Sequence, residues 1–140
     1  MEILQGQCKR HSQLVGDYNE INHLINPMID LCRRPIGKYP SGMALAHCQV
    51  DHDDPKRFFV FADGEVVINP KIISKIGTTK HKEGCLSYPF RDMKFVNRSI
   101  VVTVWYRNSK WEEVTKELEG IKAYIFQHEI DHFNGKHIYS

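Results

Sequence analysis

No stretch of this 140-residue sequence is apolar for long enough to cross a bilayer, and its first residues lack the charged-then-apolar pattern of a secretion signal. We therefore expect a cytoplasmic protein with no membrane partner. The sequence also lacks repeats, low-complexity tracts and linkers, which predicts one domain over residues 1–140. An excess of one charge is missing too, since 19 basic and 17 acidic residues leave a net charge of +2. That balance argues against nucleic acid as the main partner.

Paired cysteines are also absent. The four cysteines, Cys8, Cys32, Cys48 and Cys85, are widely spaced and form no C-x-x-C motif. In a chain without a secretion signal, free thiols are the expectation. One of them remains available as a metal ligand.

Hydrophobic residues recur at helical spacing in the first third of the chain. Asp17 is placed to cap this helix, and Pro27 is expected to kink or shorten it. The apolar positions that define the helix are Ile21, Leu24, Ile25, Met28 and Leu31.

Strand patterns occupy the middle of the chain. Residues Phe58–Phe61 and Val66–Ile68 flank the turn signal Asp63-Gly64 and predict a hairpin. Asn69-Pro70 is expected to close the second strand. Three further strand patterns follow, at Lys71–Ile76, at Ile100–Tyr106 and, as an edge strand, at Trp111–Leu118.

The last helical pattern runs from Glu119 to about Asn134, and Gly135 fits a helix C-cap. One helix comes first, strands follow and a long helix comes last, an order that favours an α+β fold over alternating βαβ units. We predict antiparallel or mixed sheets packed around a long C-terminal metal-binding helix, with a second helix near the N-terminus.

This C-terminal pattern carries an H-E-x-x-H motif, His128-Glu129-Ile130-Asp131-His132. Residues four apart lie on one face of a helix, so His128 and His132 can reach the same metal ion. Glu129 is then placed to bond a water molecule at the metal and to shuttle its proton. Alone, the motif has moderate specificity, because two solvated histidines flanking a glutamate produce the same pattern.

The third ligand is not defined by this helix. Proteases with the longer H-E-x-x-H-x-x-G-x-x-H motif need a histidine where this chain has Ile138, and His137 comes one residue too early. Only eight residues follow His132, so the third ligand is expected upstream. The candidates are His47, Cys48, His52, His81, Cys85 and several carboxylates.

Three segments together resemble the ordered motifs of the peptide deformylase family, G-x-G-L-A-A-x-Q, E-G-C-L-S and H-E-x-D-H. They are GMALAHCQ at residues 42–49, EGCLS at residues 83–87 and HEIDH at residues 128–132. The second and third match fully. In the first, Ala44 replaces a glycine and His47 an alanine, whereas Gln49 is retained. The chain resembles a short form that lacks the C-terminal extension, like some phage-encoded members.

The resemblance implies one divalent metal ion held by Cys85, His128 and His132. Fe(II) is the implied ion in the cell, and Zn, Ni or Co can occupy the same ligands. It also implies that Glu129 acts as the general acid/base.

The resemblance further assigns the amide of Gln49 and the backbone N–H of Leu86 to stabilising the tetrahedral intermediate. An ion pair between Glu83 and Arg98 is expected to support the site. The remaining histidines are expected at the surface: His11, His23, His52, His81 and His137.

Substrate contacts are also implied by the resemblance. Tyr124 is larger than the aliphatic residue common at its position, so it is expected to narrow the pocket for the methionine side chain. The implied substrate-binding residues are Met43, Ala44, Gly84, Tyr124 and Ile125.

The implied function is hydrolysis of the N-formyl group from nascent polypeptides that start with formyl-methionine, with release of formate. The expected partners are the N-formylmethionyl peptide and, transiently, the ribosome, with no specific nucleic acid. Two rivals remain open. One is an H-E-x-x-H endopeptidase with a third ligand other than Cys85, and the other is a deformylase-like fold that binds metal or a partner without turnover.

Overall fold

The computed structural model describes residues 1–37, 39 and 41–139. These residues form two α-helices and seven strands that pair only as antiparallel neighbours: a five-stranded sheet in the order β1-β2-β3-β6-β7, and a separate ribbon of β4 and β5. The α+β prediction is confirmed. In chain order the elements are α1 (Asn22–Arg33), β1 (Ala44–Ala46), β2 (Phe58–Phe61), β3 (Val66–Ile76), β4 (Thr79–Glu83), β5 (Lys94–Arg98), β6 (Val101–Arg107), β7 (Glu113–Glu119) and α2 (Ile121–Phe133).

Strand β2 is buried on both faces because a helix covers each side of the sheet. Phe58 and Val60 belong to the hydrophobic cluster beside α1, and Phe59 and Phe61 belong to the cluster beside α2. Alternation of side chains along a strand produces this division. The short, wholly apolar run in the sequence is typical of a strand covered on both faces, and the predicted hairpin with β3 is confirmed.

Strand β3 is longer than predicted. The expectation that Asn69-Pro70 closes it is wrong, because the strand continues to Ile76 and the two predicted strands are one. Asn69 adopts a φ of 53°, and the register against β6 shifts between Ile68 and Lys71. The Asn69 side chain stabilises this bulge through two hydrogen bonds of 2.8 Å to the backbone of Val15. A bulge is a position at which a strand tolerates proline.

Helix α1 begins one short turn later than predicted. The Asp17 carboxylate accepts a hydrogen bond from the N–H of Asn19 at 2.9 Å and so caps a 3-10 turn, Tyr18–Glu20, that precedes the helix. The expectation that Asp17 caps α1 itself is therefore wrong. Pro27 lies within α1 without ending it.

Helix α2 packs across the sheet and carries the motif residues. Gly120, with a φ of 70°, separates β7 from α2, and Gly135, with a φ of 73°, follows its end as the C-cap pattern predicts. Phe126 lies edge to face against Phe59, with ring centroids 5.1 Å apart. The predicted edge strand is β7, which pairs along its length with β6. Within the described ranges, neither helix has the length and apolar character that crossing a membrane requires.

Candidate active site

The two histidines of the H-E-x-x-H motif meet on one face of α2. The Nε2 atoms of His128 and His132 lie 3.2 Å apart. Cys85 follows β4, and its Sγ lies 3.4 Å from Nε2 of His132. Helix α2 and the connection between β4 and β5 therefore bring one thiol and two imidazoles together, although Cys85 precedes His128 by 43 positions in the sequence.

The spacing of these donors suits one metal ion. One atom from each of Cys85, His128 and His132 lies within 4.8 Å of the others, and the described residues contain no second group of this kind. Metal–sulfur and metal–nitrogen bonds of about 2.3 and 2.0–2.1 Å in a tetrahedral site separate the ligand atoms by about 3.3–3.6 Å. The observed distances and the thiol–imidazole donor set therefore fit a divalent transition-metal ion.

Glu83 holds His128 in the orientation that this site needs. The Nδ1 of His128 donates to Oε1 of Glu83 at 2.8 Å, which leaves Nε2 directed at the other two donors. A hydrogen bond of this kind from a ligating histidine to a carboxylate fixes both the tautomer and the ring orientation.

Arg98 in turn holds Glu83. Its Nε and Nη2 donate to the two carboxylate oxygens at 2.9 and 2.7 Å, so the predicted ion pair is present. Its Nη1 also donates to Asp131 at 2.9 Å. Burial opposes ionisation of Glu83, but the hydrogen bonds from Arg98, His128 and His81 hold its pKa well below the usual range.

Cys85 and Glu83 make the site attract positive charge. Burial lowers the pKa of His128, yet its hydrogen bonds with Cys85 and Glu83 outweigh burial and raise that pKa to about 10. For His132, burial and the adjacent positive charge of His128 both lower the pKa. A cation bound by Cys85, His128 and His132 would replace the His128 proton.

Glu129 lies beside the metal-ligating donors, and one of its two carboxylate oxygens lacks a hydrogen bond within the described structure. The residue is 4% exposed, and its Oε2 is buried and has no hydrogen-bond partner in the described structure. Burial raises the pKa of Glu129 to about 7, with Glu83 adding to the shift and His128 and Arg98 opposing it. Since buried polar atoms are normally paired, this oxygen is suited to bonding a bound molecule.

Gln49 directs its side-chain amide towards the cluster of Cys85, His128 and His132. Its Oε1 accepts from the N–H of Ala46 at 2.9 Å, and its Nε2 donates to Oγ of Ser87 at 3.0 Å. The same Nε2 lies 3.8 Å from Sγ of Cys85. This network fixes the amide with a donor facing the ligand cluster. Leu86, next to Cys85, is also buried.

A cavity of about 430 Å³ opens beside these residues. Cys85, His128, Glu129, Gln49 and Leu86 contribute to its walls, whereas His132 does not. The structure also brings every predicted substrate-binding residue to this cavity: Met43, Ala44, Gly84, Tyr124 and Ile125.

Among the residues of the cavity wall that were not predicted from the sequence, two make contacts that shape it. His81 was expected at the surface, but its side chain is only 27% exposed: its ring lies against Tyr124 at an angle of 30° with centroids 4.4 Å apart, and its Nδ1 lies 2.9 Å from Oε2 of Glu83. Once β4 is assigned, alternation places His81 on the same face as Glu83. Tyr39 is the second, and its hydroxyl lies so close to Gly84 that a Cβ at residue 84 would collide with it.

Comparisons with known proteins agree with the site. The family model described as "Polypeptide deformylase" matches residues 1–140. A peptide deformylase of Chlorobaculum parvum is 38% identical over 130 residues, which is 87% of this chain and 66% of that protein. One from Thermotoga sp. (strain RQ2) is 43% identical over 98 residues, which is 67% of this chain and 58% of that protein. The alignments thus span less than two thirds of these curated relatives.

Solved structures are similar over nearly the whole chain. The crystal structure of peptide deformylase from Thermotoga maritima has a TM-score of 0.84 and 32% identity, covering 99% of this chain and 96% of that one. A probable peptide deformylase from Synechococcus phage S-SSM7 has a TM-score of 0.86 and 28% identity, covering 99% and 97%. Such similarity extends beyond the three motifs to the arrangement of helices and strands.

Proposed function

This chain belongs to the polypeptide deformylase family, and we propose that it removes the N-formyl group from peptides that begin with formyl-methionine, releasing formate. The observation that carries this proposal is the buried Oε2 of Glu129, which has no hydrogen-bond partner among the described residues. It lies beside the cluster of Cys85, His128 and His132, at a cavity open to a ligand. A carboxylate next to three metal-ligating donors is suited to hydrolysis of an amide.

Cys85, His128 and His132 would hold the metal ion, and Glu83 would keep His128 in its ligating orientation. When bound, a divalent ion supplies Lewis acidity that polarises a carbonyl and lowers the pKa of water. We propose Fe(II) as the ion in the cell. Zn, Ni and Co are alternatives that the same thiol and imidazole donors accept.

Glu129 would accept a proton from the attacking water and then deliver it to the amine that leaves. A carboxylate whose pKa is raised to about 7 can both take up and release a proton near neutral pH. Gln49 would donate from Nε2 to the oxygen on which negative charge develops, and the backbone N–H of Leu86 would be the second donor. The hydrogen bond from Ala46 to Gln49 orients that amide in advance.

The apolar side of the cavity would receive the methionine side chain. Met43, Tyr124 and Ile125 would form that pocket, narrowed by Tyr124, while Ala44 and Gly84 would offer main-chain groups to the peptide. We propose that residues 1–140 act as one catalytic domain in the cytoplasm, with a transient ribosome contact. Co-sedimentation with ribosomes tests that contact. Failure to co-sediment at low salt would contradict the proposed ribosome contact.

The distance from Cys85 Sγ to His132 Nε2, 3.4 Å, supports cysteine as the third ligand and disfavours the endopeptidase rival. The test is formate release from formyl-Met-Ala-Ser by protein loaded anaerobically with Fe(II) or Ni(II). Acetyl-Met-Ala-Ser and an unformylated peptide serve as controls. Release from the formyl peptide alone supports the proposal. Cleavage of internal peptide bonds would support the endopeptidase, and metal binding without turnover would support the binding-only rival.

A further inference from the structure

The net charge of +2 conceals an uneven distribution of charge along the chain. Residues 66–111 carry nine lysines and arginines but only two carboxylates, Glu83 and Asp92. The rest of the chain carries ten basic and fifteen acidic residues. Glu83 is buried and paired with Arg98, which is one of the nine, so eight basic residues and the single carboxylate of Asp92 remain in this segment. This part of the molecule is therefore strongly basic, although the whole is nearly neutral.

Two adjoining concavities are lined by basic side chains, and we term the two together the basic groove. One, of about 720 Å³, is lined by the cations Arg57, Lys71, Lys75 and Lys136. The other, of about 450 Å³, is lined by Lys80 and Lys94. The two share Asn97, Arg98 and Asp131, so they are continuous. Among the described residues, none lines both the catalytic cavity and the basic groove.

The positive charge of the basic groove is not neutralised within the described part of the chain. Its five lysines are exposed and none of them forms an ion pair with a described carboxylate. The one carboxylate among the described lining residues is Asp131, and it is already paired with Arg98 at 2.9 Å. Unpaired lysines along a concave surface produce a field that attracts a polyanion.

We infer that the basic groove binds the phosphate backbone of single-stranded RNA. Its cations follow a continuous concave track, which fits a flexible strand better than it fits a flat lipid surface. Phe95 lies at this track and is 63% exposed, with Nζ of Lys82 5.8 Å from its ring centroid. A basic groove combined with an exposed aromatic ring on which a base stacks is the combination that single-stranded nucleic acids use.

This inference goes beyond the proposed hydrolysis and does not depend on it. The protein would then have two binding sites: the catalytic cavity for the peptide and the basic groove for RNA. The expectation from net charge alone, that nucleic acid is not a partner, does not take account of how the charges are arranged.

The test is fluorescence anisotropy of a short, labelled single-stranded RNA titrated with the full chain at several salt concentrations. If three to five lysines contact phosphates, the slope of log K against log salt falls between about −2 and −3.5. Absence of binding at low salt, or binding without salt dependence, overturns the inference. Tighter binding to acidic peptide or to anionic vesicles than to RNA also overturns it.

Matched variants locate the surface. Lys75→Glu with Lys136→Glu reverses two charges of the basic groove, and Arg34→Glu with Lys110→Glu reverses two exposed charges elsewhere. We expect the first pair to weaken RNA binding about tenfold or more and to reduce the slope by about 1.4, and the second pair to have little effect. Equal loss in both pairs overturns the inference.

Two further measurements separate the groove from the rest of the protein. Phe95→Leu should weaken RNA binding about fivefold or more through lost base stacking. Formate release from a short formyl peptide should stay unchanged in every variant, because none of the substituted residues lines the catalytic cavity. RNA binding that survives all groove substitutions shows that the RNA binds elsewhere and the groove assignment is wrong.

Discussion

Among single substitutions outside the hydrophobic core, replacing Arg98 by methionine should lower the free energy of unfolding the most. Arg98 is 8% exposed and Glu83 is 6% exposed, and two hydrogen bonds of 2.9 and 2.7 Å join them. Methionine fills similar volume but leaves the Glu83 carboxylate buried without its cation. Breaking a buried ion pair by removing one partner costs about 3–5 kcal/mol.

The lower end of that range applies here. Glu83 keeps hydrogen bonds to His81 and His128 after the substitution, so its charge is not wholly uncompensated. The second partner of Arg98, Asp131, is 39% exposed, and a pair of that exposure contributes about 1 kcal/mol or less. We therefore expect a loss of about 3 kcal/mol, which corresponds to a fall in Tm of about 10 °C for a chain of this length.

Urea unfolding of the metal-free protein, in the presence of chelator, measures this loss without a contribution from bound metal. Asp131→Asn is the matched control, because it removes the exposed partner of Arg98 and leaves the buried pair intact. We expect that control to change the free energy of unfolding by about 1 kcal/mol or less. An Arg98→Met variant no less stable than the control would refute the role given to the buried pair.

Three further substitutions test the cavity. Gly84→Ala should cost about 1–3 kcal/mol in thermal unfolding because its Cβ meets the Tyr39 hydroxyl, and Tyr39→Leu in the same chain should restore much of it; unchanged stability would contradict this contact. Cys85→Ser should lower the metal-to-protein ratio after dialysis against chelator, whereas full retention of metal would exclude Cys85 as a ligand. Tyr124→Leu should raise kcat/KM for formyl-Phe-Ala-Ser relative to formyl-Met-Ala-Ser about tenfold by widening the pocket; an unchanged ratio would mean that Tyr124 does not limit the pocket.

Elements with a strong local pattern were predictable from the sequence. The apolar run of β2, the β-branched run of β6 and the helical pattern of α2 each match their observed element closely. Where tertiary contacts override local preference, the sequence was less informative. Asn69-Pro70 reads as a strand end, but hydrogen bonds to Val15, which is distant in sequence, hold it inside β3.

The ribbon of β4 and β5 shows the same limit more clearly. Its strands are short, and β4 reads Thr-Lys-His-Lys-Glu, in which the alternation separates exposed lysines from inward His81 and Glu83. No apolar pattern marks such a strand, because its inner face packs against a polar site instead of a core. The motifs indicated the donors Cys85, His128 and His132, but the contacts of His81 with Tyr124 and of Tyr39 with Gly84 required the fold.

The most direct test of the account is kcat for formate release by metal-loaded Glu129→Gln compared with the unsubstituted protein. Glu129 is not among the three grouped donors, so the metal content should not change. If Glu129 transfers the proton, kcat should fall about 10²–10⁴-fold at equal metal content, the range that general acid/base groups contribute. A metal-loaded variant that keeps the kcat of the unsubstituted protein would contradict the assignment of Glu129 as the acid/base and with it the mechanism proposed for this site.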